Sequence, residues 1–167
     1  MSRENVEQLR TFMETWTLEA WRREAARLAE VNMYLLDPHV TYEDMTLPGR
    51  AGEVYRGHEG VVRATERWIE SYRWLEIELK ELVDSGDSVV SIHRVQAKAH
   101  TGIEGEGSIA FLWTFRDGKV SHFRMYQDPE EALQAALARA EASLRRPCRR
   151  PGRRHDRPHQ SAQKRSR

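Results

Sequence analysis

The chain has 167 residues, of which 39% are hydrophobic and 32% charged, the size and balance of one globular domain with a polar periphery. No apolar run approaches the roughly 20 residues of a membrane span, and the opening MSRENVEQLR lacks the apolar stretch of a secretory signal, so the expectation is a cytoplasmic protein with no membrane partner. The net charge of +1 conceals a division: residues 143–167 hold ten of the 27 Lys and Arg against one acid, and residues 1–142 hold 17 basic against 25 acidic residues. The one cysteine, Cys148, lies in the basic stretch, which excludes an intrachain disulfide and a thiolate metal cluster within one chain.

Val6, Leu9, Phe12, Met13 and Trp16 recur at three- and four-residue spacing and predict an amphipathic helix over about 3–17. A second helical segment, about 19–35, carries Ala20, Trp21, Ala25, Leu28, Ala29 and Val31 and breaks at Asp37-Pro38. Val40, Tyr42 and Asp44 alternate with Thr41 and Glu43 in a short strand, after which LPGRAGEVYRG reads as a Gly/Pro-punctuated loop. Val61, Val62, Thr65, Trp68, Ile69 and Tyr72 mark an amphipathic helix from His58 to about Trp74.

Strand patterns follow. Leu75, Ile77 and Leu79 alternate with Glu76, Glu78 and Lys80, Ser85-Gly86-Asp87 turns the chain, and a long strand runs from Val89 to about His100. Asp117-Gly118 is the pair that a type I′ turn requires, so 106–116 and 119–127 pair as a hairpin. Asp128 then caps a helix, with Pro129 at its first position and Glu131 placed to complete a capping box. The order α-α-β-α-β-β-β-β-α predicts an α+β protein whose antiparallel sheet is covered on one face by helices. Its domain spans residues 1–140, and 141–167 form a basic tail too polar to fold, which could bind phosphate backbones or fold back on the acidic body.

Five segments, LLDPHVTYED at 35–44, YRGHEGVVR at 55–63, LVDSGDSVVSIHR at 82–94, FLWTFRDGKVSHFRMYQD at 111–128 and the closing EEAL helix, resemble in order the SnoaL-like branch of the nuclear transport factor 2-like superfamily. The resemblance covers about residues 3–140. It implies a curved antiparallel sheet wrapped by helices into a cone, usually dimeric, with an interior pocket. The superfamily includes ketosteroid isomerase, polyketide cyclases, epoxide hydrolases and dehydratases, as well as members that only bind or scaffold, so the fold does not choose the function.

The same resemblance places Asp44 where ketosteroid isomerase holds its proton-shuttling carboxylate, with Tyr42 on the same face. A carboxylate in an apolar pocket makes a general base near neutrality; the alternative is an acid at the mouth, or one bonded to the following loop. Phe111 falls where that isomerase keeps a protonated Asp as oxyanion donor, which argues against steroid isomerisation unless His93 or Tyr42 donates instead. His93 belongs to the apolar set Val89, Ser91, Val95, Ala97 and Ala99, either as a proton relay to Asp44 or as a core residue. Phe111, Trp113, Phe123 and Met125, with Trp16 and Trp68 from helices, would line the pocket.

No histidine spacing names a metal site, and no glycine-rich loop or serine elbow implies a nucleotide cofactor or a serine nucleophile. An Asp-Arg-Asp triad around Arg94 or Arg124 lacks an evident second inward acid. The expectation is a homodimer that holds a small apolar or amphipathic organic molecule, with cofactor-free proton transfer (isomerisation, cyclisation or dehydration) through Asp44, His93 and Tyr42. The alternatives are a non-catalytic binding or dimerisation module, favoured by a cavity below roughly 300 Å³, and nucleic-acid tethering through the tail.

Overall fold

The computed structural model describes residues 2–15, 33–44 and 52–145. The expected second helix up to residue 32, Trp16, the loop at 45–51 and the basic stretch from 146 lie outside the described residues. In chain order the elements are α1 (Ser2–Thr15), a 3₁₀ turn (Met33–Leu35), β1 (Leu36–Asp44), β2 (Glu53–Arg56), α2 (Gly57–Glu70), β3 (Tyr72–Asp84), β4 (Ser88–Ala99), β5 (Glu104–Arg116), β6 (Lys119–Tyr126) and α3 (Pro129–Leu144).

The described strands form one six-stranded sheet in the order β2-β1-β6-β5-β4-β3. Every pairing is antiparallel except β1 with β6, which is parallel. Register shifts in β1, in β3 and between β5 and β6 insert the irregularities that bend a sheet. The β5–β6 hairpin turns at Asp117 and Gly118, with φ of 53° and 76°, the paired positive values of the expected turn. Asp128 caps α3 by accepting the Glu130 N–H at 2.9 Å, with Pro129 at the first turn.

Three elements have bounds or types that differ from the sequence reading. Glu53–Arg56 is an edge strand, not loop: Thr41 to Asp44 pair with Arg56 to Glu53, and so short an edge leaves few outward backbone groups for water to satisfy. The helix expected to reach Trp74 stops at Glu70, where Ser71 donates its N–H to Trp68 O and its hydroxyl to Arg67 O, and Tyr72 already pairs with Ala99 in the sheet. β1 starts at Leu36 and passes through Asp37-Pro38, because the ladder to β6 is interrupted between Leu36 and Thr41 and leaves the proline nothing to donate to.

Helices cover both faces of the sheet, not one. α1 and α2 close the inner face over a core that includes Leu9, Phe12, Val40, Val61, Trp113 and Phe123. α3 closes part of the outer face, where Ala132 and Ala136 lie in one cluster with Val90, Ala110, Leu112 and Tyr126. The central strands β4 and β5 therefore carry consecutive buried residues, such as Val89-Val90 and Ala110 to Phe115, where alternation alone would leave one set wet. Small alanines let α3 sit close. Ala136, 2% exposed, should lose about 1–3 kcal/mol of stability as Ala136→Leu, because the added atoms have no room. Leu137→Ala, on the exposed side of the same helix, should change stability by less than about 0.5 kcal/mol; urea unfolding reads both.

Candidate functional site

The inner face carries a row of aromatic rings fixed by strand register. Tyr55 of β2 pairs with Tyr42 of β1, Tyr42 with Phe123 of β6, and Phe123 with Trp113 of β5. Directly opposed side chains on one sheet face meet, and the rings stack: Tyr42–Tyr55 at 5.7 Å and 22°, Tyr42–Phe123 at 4.5 Å and 13°, Trp113–Phe123 at 4.7 Å and 19°. Phe111 leans on Trp113 at 5.4 Å, and His93 meets Phe111 edge-on at 5.5 Å. Among the described residues this is a continuous aromatic wall across five strands.

Against the wall lies a cavity of about 30 Å³. Tyr42, Phe111, Trp113, Phe123 and Met125 line it from the sheet, and Val61, Ala64, Thr65 and Trp68 from α2. The space is far below the roughly 300 Å³ of typical small-molecule pockets and holds little more than water-sized molecules. The structure thus brings together five of the proposed lining residues, Trp68, Phe111, Trp113, Phe123 and Met125, in a nearly filled interior.

Tyr42 and Asp44 share the inner face at the end of β1, both buried. Burial pushes the Tyr42 phenol well up from its ordinary value, with the Asp44 charge and then Tyr55 adding to it, so the hydroxyl keeps its proton and acts as a donor. That hydroxyl donates to the Met125 thioether at 3.9 Å, a weak acceptor. Asp44 stands in register between Met125 of β6 and Glu53 of β2. Glu53 is therefore a second acid on the same face. It accepts from Tyr55 Oη at 2.7 Å and from Arg67 Nη1 of α2 at 3.0 Å. Sequence reasoning missed Glu53 and Tyr55 because β2 reads as loop, and with Glu53 it missed the α2 partner Arg67; the alternation in Glu53-Val54-Tyr55-Arg56 is the signal that could have found the two strand residues.

His93 is elsewhere on the face. From Asp44 the paired row runs through Met125 and Phe111 to Ser91, three strand spacings or roughly 14 Å along the sheet. His93 lies two residues beyond Ser91 and bonds to it, Nε2 to Oγ at 2.9 Å. Trp113 Nε1 donates to the same oxygen at 2.8 Å. Burial pushes the imidazole down to about 4. The proton relay from His93 to Asp44 is thus not assembled, since a β-sheet holds its strands at fixed spacing. Arg94 and Arg124 point to the outer face, where they pair with Glu106 and Glu43, so neither joins Asp44 in a triad. Among the described residues no three His, Cys, Asp or Glu gather as a metal site, and no helix is long and apolar enough to cross a membrane.

The titration of His93 is measurable through stability. Its folded value of about 4 lies below the ordinary 6.5, so between these pH values the unfolded chain binds the extra proton. The contribution is complete above about pH 6.5 and is lost as pH falls toward 4, about 3 kcal/mol in all. In urea unfolding from pH 7 to 4, His93→Gln should lack this fall, so its stability deficit against the wild type should shrink with acidification. A pH-independent difference would place His93 in solvent.

The model of the SnoaL-like domain family matches residues 7–123. No curated protein matches the chain. Among solved structures, a protein from Jannaschia sp. CCS1 that carries the description SnoaL-like polyketide cyclase is 20% identical, with a TM-score of 0.61 over 82% of this chain and 94% of its own. An NTF2-like protein from Burkholderia xenovorans LB400 is 22% identical, with a TM-score of 0.59 over 84% and 97%. TerC, co-crystallised with polyporic acid, is 20% identical, with a TM-score of 0.58 over 81% and 98%. At these identities the structures establish the fold. With the family model matched over more than half of its length, the chain belongs to the SnoaL-like domain family.

Proposed function

We propose that this domain holds a small, flat organic molecule bearing a carbonyl or similar acceptor oxygen against the aromatic wall, and that Asp44 moves a proton on it with Tyr42 as hydrogen-bond donor. The observation that carries the reading is the Tyr42 hydroxyl. It is buried, keeps its proton, and spends its hydrogen bond on a thioether 3.9 Å away. A ligand oxygen in place of Met125 Sδ would form the stronger bond. Met125 and Met33, both at the cavity, are unbranched and adaptable, and their movement together with Phe12 would make room for a ring system.

Asp44, two residues along the same strand, supplies the base. A carboxylate and a phenol suffice to shift a proton next to a carbonyl, the step shared by isomerisation, cyclisation and dehydration. The Jannaschia relative's description and TerC's polyporic acid fit such a ligand class. A homodimer belongs to this reading through the family resemblance, and a cytoplasmic setting stays part of it as the expectation read from the sequence. The size of the cavity favours a second reading, a non-catalytic module whose interior is packed shut.

Titration with fused-ring ketones and quinones, followed by tryptophan fluorescence, separates the two. Under the first reading quenching is saturable, and Tyr42→Phe weakens binding about tenfold, the equivalent of one hydrogen bond of about 1.4 kcal/mol. The same variant should unfold within about 1 kcal/mol of the wild type, because it forfeits only a bond to sulfur. Asp44→Asn should still bind while abolishing proton exchange at the ketone's α-carbon. Quenching that rises linearly with probe and never saturates would establish the packed module.

A further inference from the structure

The inner face holds a second buried polar unit, which the proton-transfer reading does not use: Trp113, Ser91 and His93. Their relative exposures are 1%, 0% and 2%. Ser91 Oγ lies 2.8 Å from Trp113 Nε1 and 2.9 Å from His93 Nε2, and this side-chain oxygen has no further hydrogen-bond partner among the described residues. An indole N–H can only donate, so the serine oxygen accepts from Trp113. The serine has one hydrogen of its own. Fully buried, that hydrogen needs an acceptor, and the imidazole Nε2 is the one within reach. If Nε2 carried a proton, Ser91 would accept twice and its own hydrogen would be stranded. The chain of donors therefore runs one way, from Trp113 through Ser91 to His93, and the imidazole proton sits on Nδ1.

We propose that this relay makes His93 and Ser91 positioning residues which lock the Trp113 ring and leave the indole with no free donor for the cavity, so that the site selects flat ligands with an oxygen at the Tyr42 end and an apolar Trp113 end. The selectivity half rests on the ligand-binding reading above. The asymmetry follows from the two ring donors. Trp113 Nε1–H is consumed by Ser91, whereas Tyr42 Oη–H meets only sulfur. A ligand oxygen placed over Trp113 would lose its water and gain no bond, which penalises it by the full desolvation of the group. The lock also maintains the wall itself, because rotation of the indole to find another acceptor would break its stack with Phe123 at 4.7 Å.

Two arms test this. The first uses the protein without ligand. Long-range ¹⁵N–¹H spectra should show His93 with the proton on Nδ1 and a bare Nε2, and the indole N–H of Trp113 should exchange slowly with solvent. Ser91→Ala should speed that exchange and shift Trp113 emission. His93→Gln, which still offers Ser91 an acceptor oxygen, should preserve both, and His93→Leu should not. The Nε2-protonated tautomer, or exchange unchanged in Ser91→Ala, overturns the relay. Where Ser91→Ala fails to fold, the tautomer and the Gln–Leu contrast decide.

The second arm compares 1-tetralone, with one oxygen, and 6-hydroxy-1-tetralone, with an oxygen at each end. The wild type should prefer the first by about tenfold, the worth of one unsatisfied polar group, and His93→Leu should narrow that preference. Equal affinities in the wild type overturn the selectivity. If neither ketone binds while the tautomer and exchange results hold, it is the ligand reading that has failed, and the relay stands as a packing lock.

Discussion

The register of the aromatic wall is the constraint on which the rest of this domain depends. Tyr55 and Tyr42 come from β2 and β1, Phe123 and Trp113 from the β5–β6 hairpin far along the chain, and each ring stacks on the residue directly paired with it. Each such ring pair contributes about 0.5–1.5 kcal/mol beyond its buried area. More important is what the stack forbids. A slip of one residue in any of the three pairings would turn one strand's entire set of side chains to the other face. The parallel β1–β6 pair gains most from this, since no short turn joins the two strands and holds their register locally.

The same register builds the outer face. Glu43, beside Tyr42 and Asp44 in sequence, points away from the wall and meets His122 Nε2 at 3.0 Å and the Arg124 guanidinium. Burial by itself would raise the Glu43 carboxyl, but the bonds from His122 and Arg124 outweigh it and hold it below the usual range. β1 and β6 are thus held by rings on one side and by a charged cluster on the other. Two different interactions, apolar and ionic, favour one alignment, and this agreement between levels distinguishes a specified sheet from a merely sticky one.

Much of this was legible in the sequence wherever the cause is local. The β5–β6 turn follows from Asp117-Gly118, the start of α3 from Asp128-Pro129, and the inward set Phe111, Trp113 and Phe123 from period two. What was not legible depends on partners distant in the chain. The composition of 53–56 does not announce an edge strand, because its alternation is four residues long and flanked by glycines. The outer cover by α3 requires knowing that Val90 and Leu112 face one way together. The separation of Asp44 from His93 requires the strand order, which places β6 and β5 between them. Ser91 lacks any sequence signal of its own. It becomes notable only once β4 and β5 are paired and the Trp113 indole falls within reach of it.

The nearly filled interior has a consequence for how the domain meets a ligand. A preformed pocket costs stability, because empty apolar space forfeits packing contacts. Here the rings and methionines occupy that space themselves, and the cavity shrinks to about 30 Å³. A phenylalanine at position 42 would pack as well and leave no polar atom to satisfy. A hydroxyl there, bonded only to Met125 Sδ, contributes little to the closed state; under the proposed reading it would contribute more to an open one in which a ligand oxygen replaces the sulfur. Under the proposed ligand reading, packing that is complete around one under-used donor would define a site whose ligand supplies both the ring that displaces Met125 and the oxygen that bonds Tyr42.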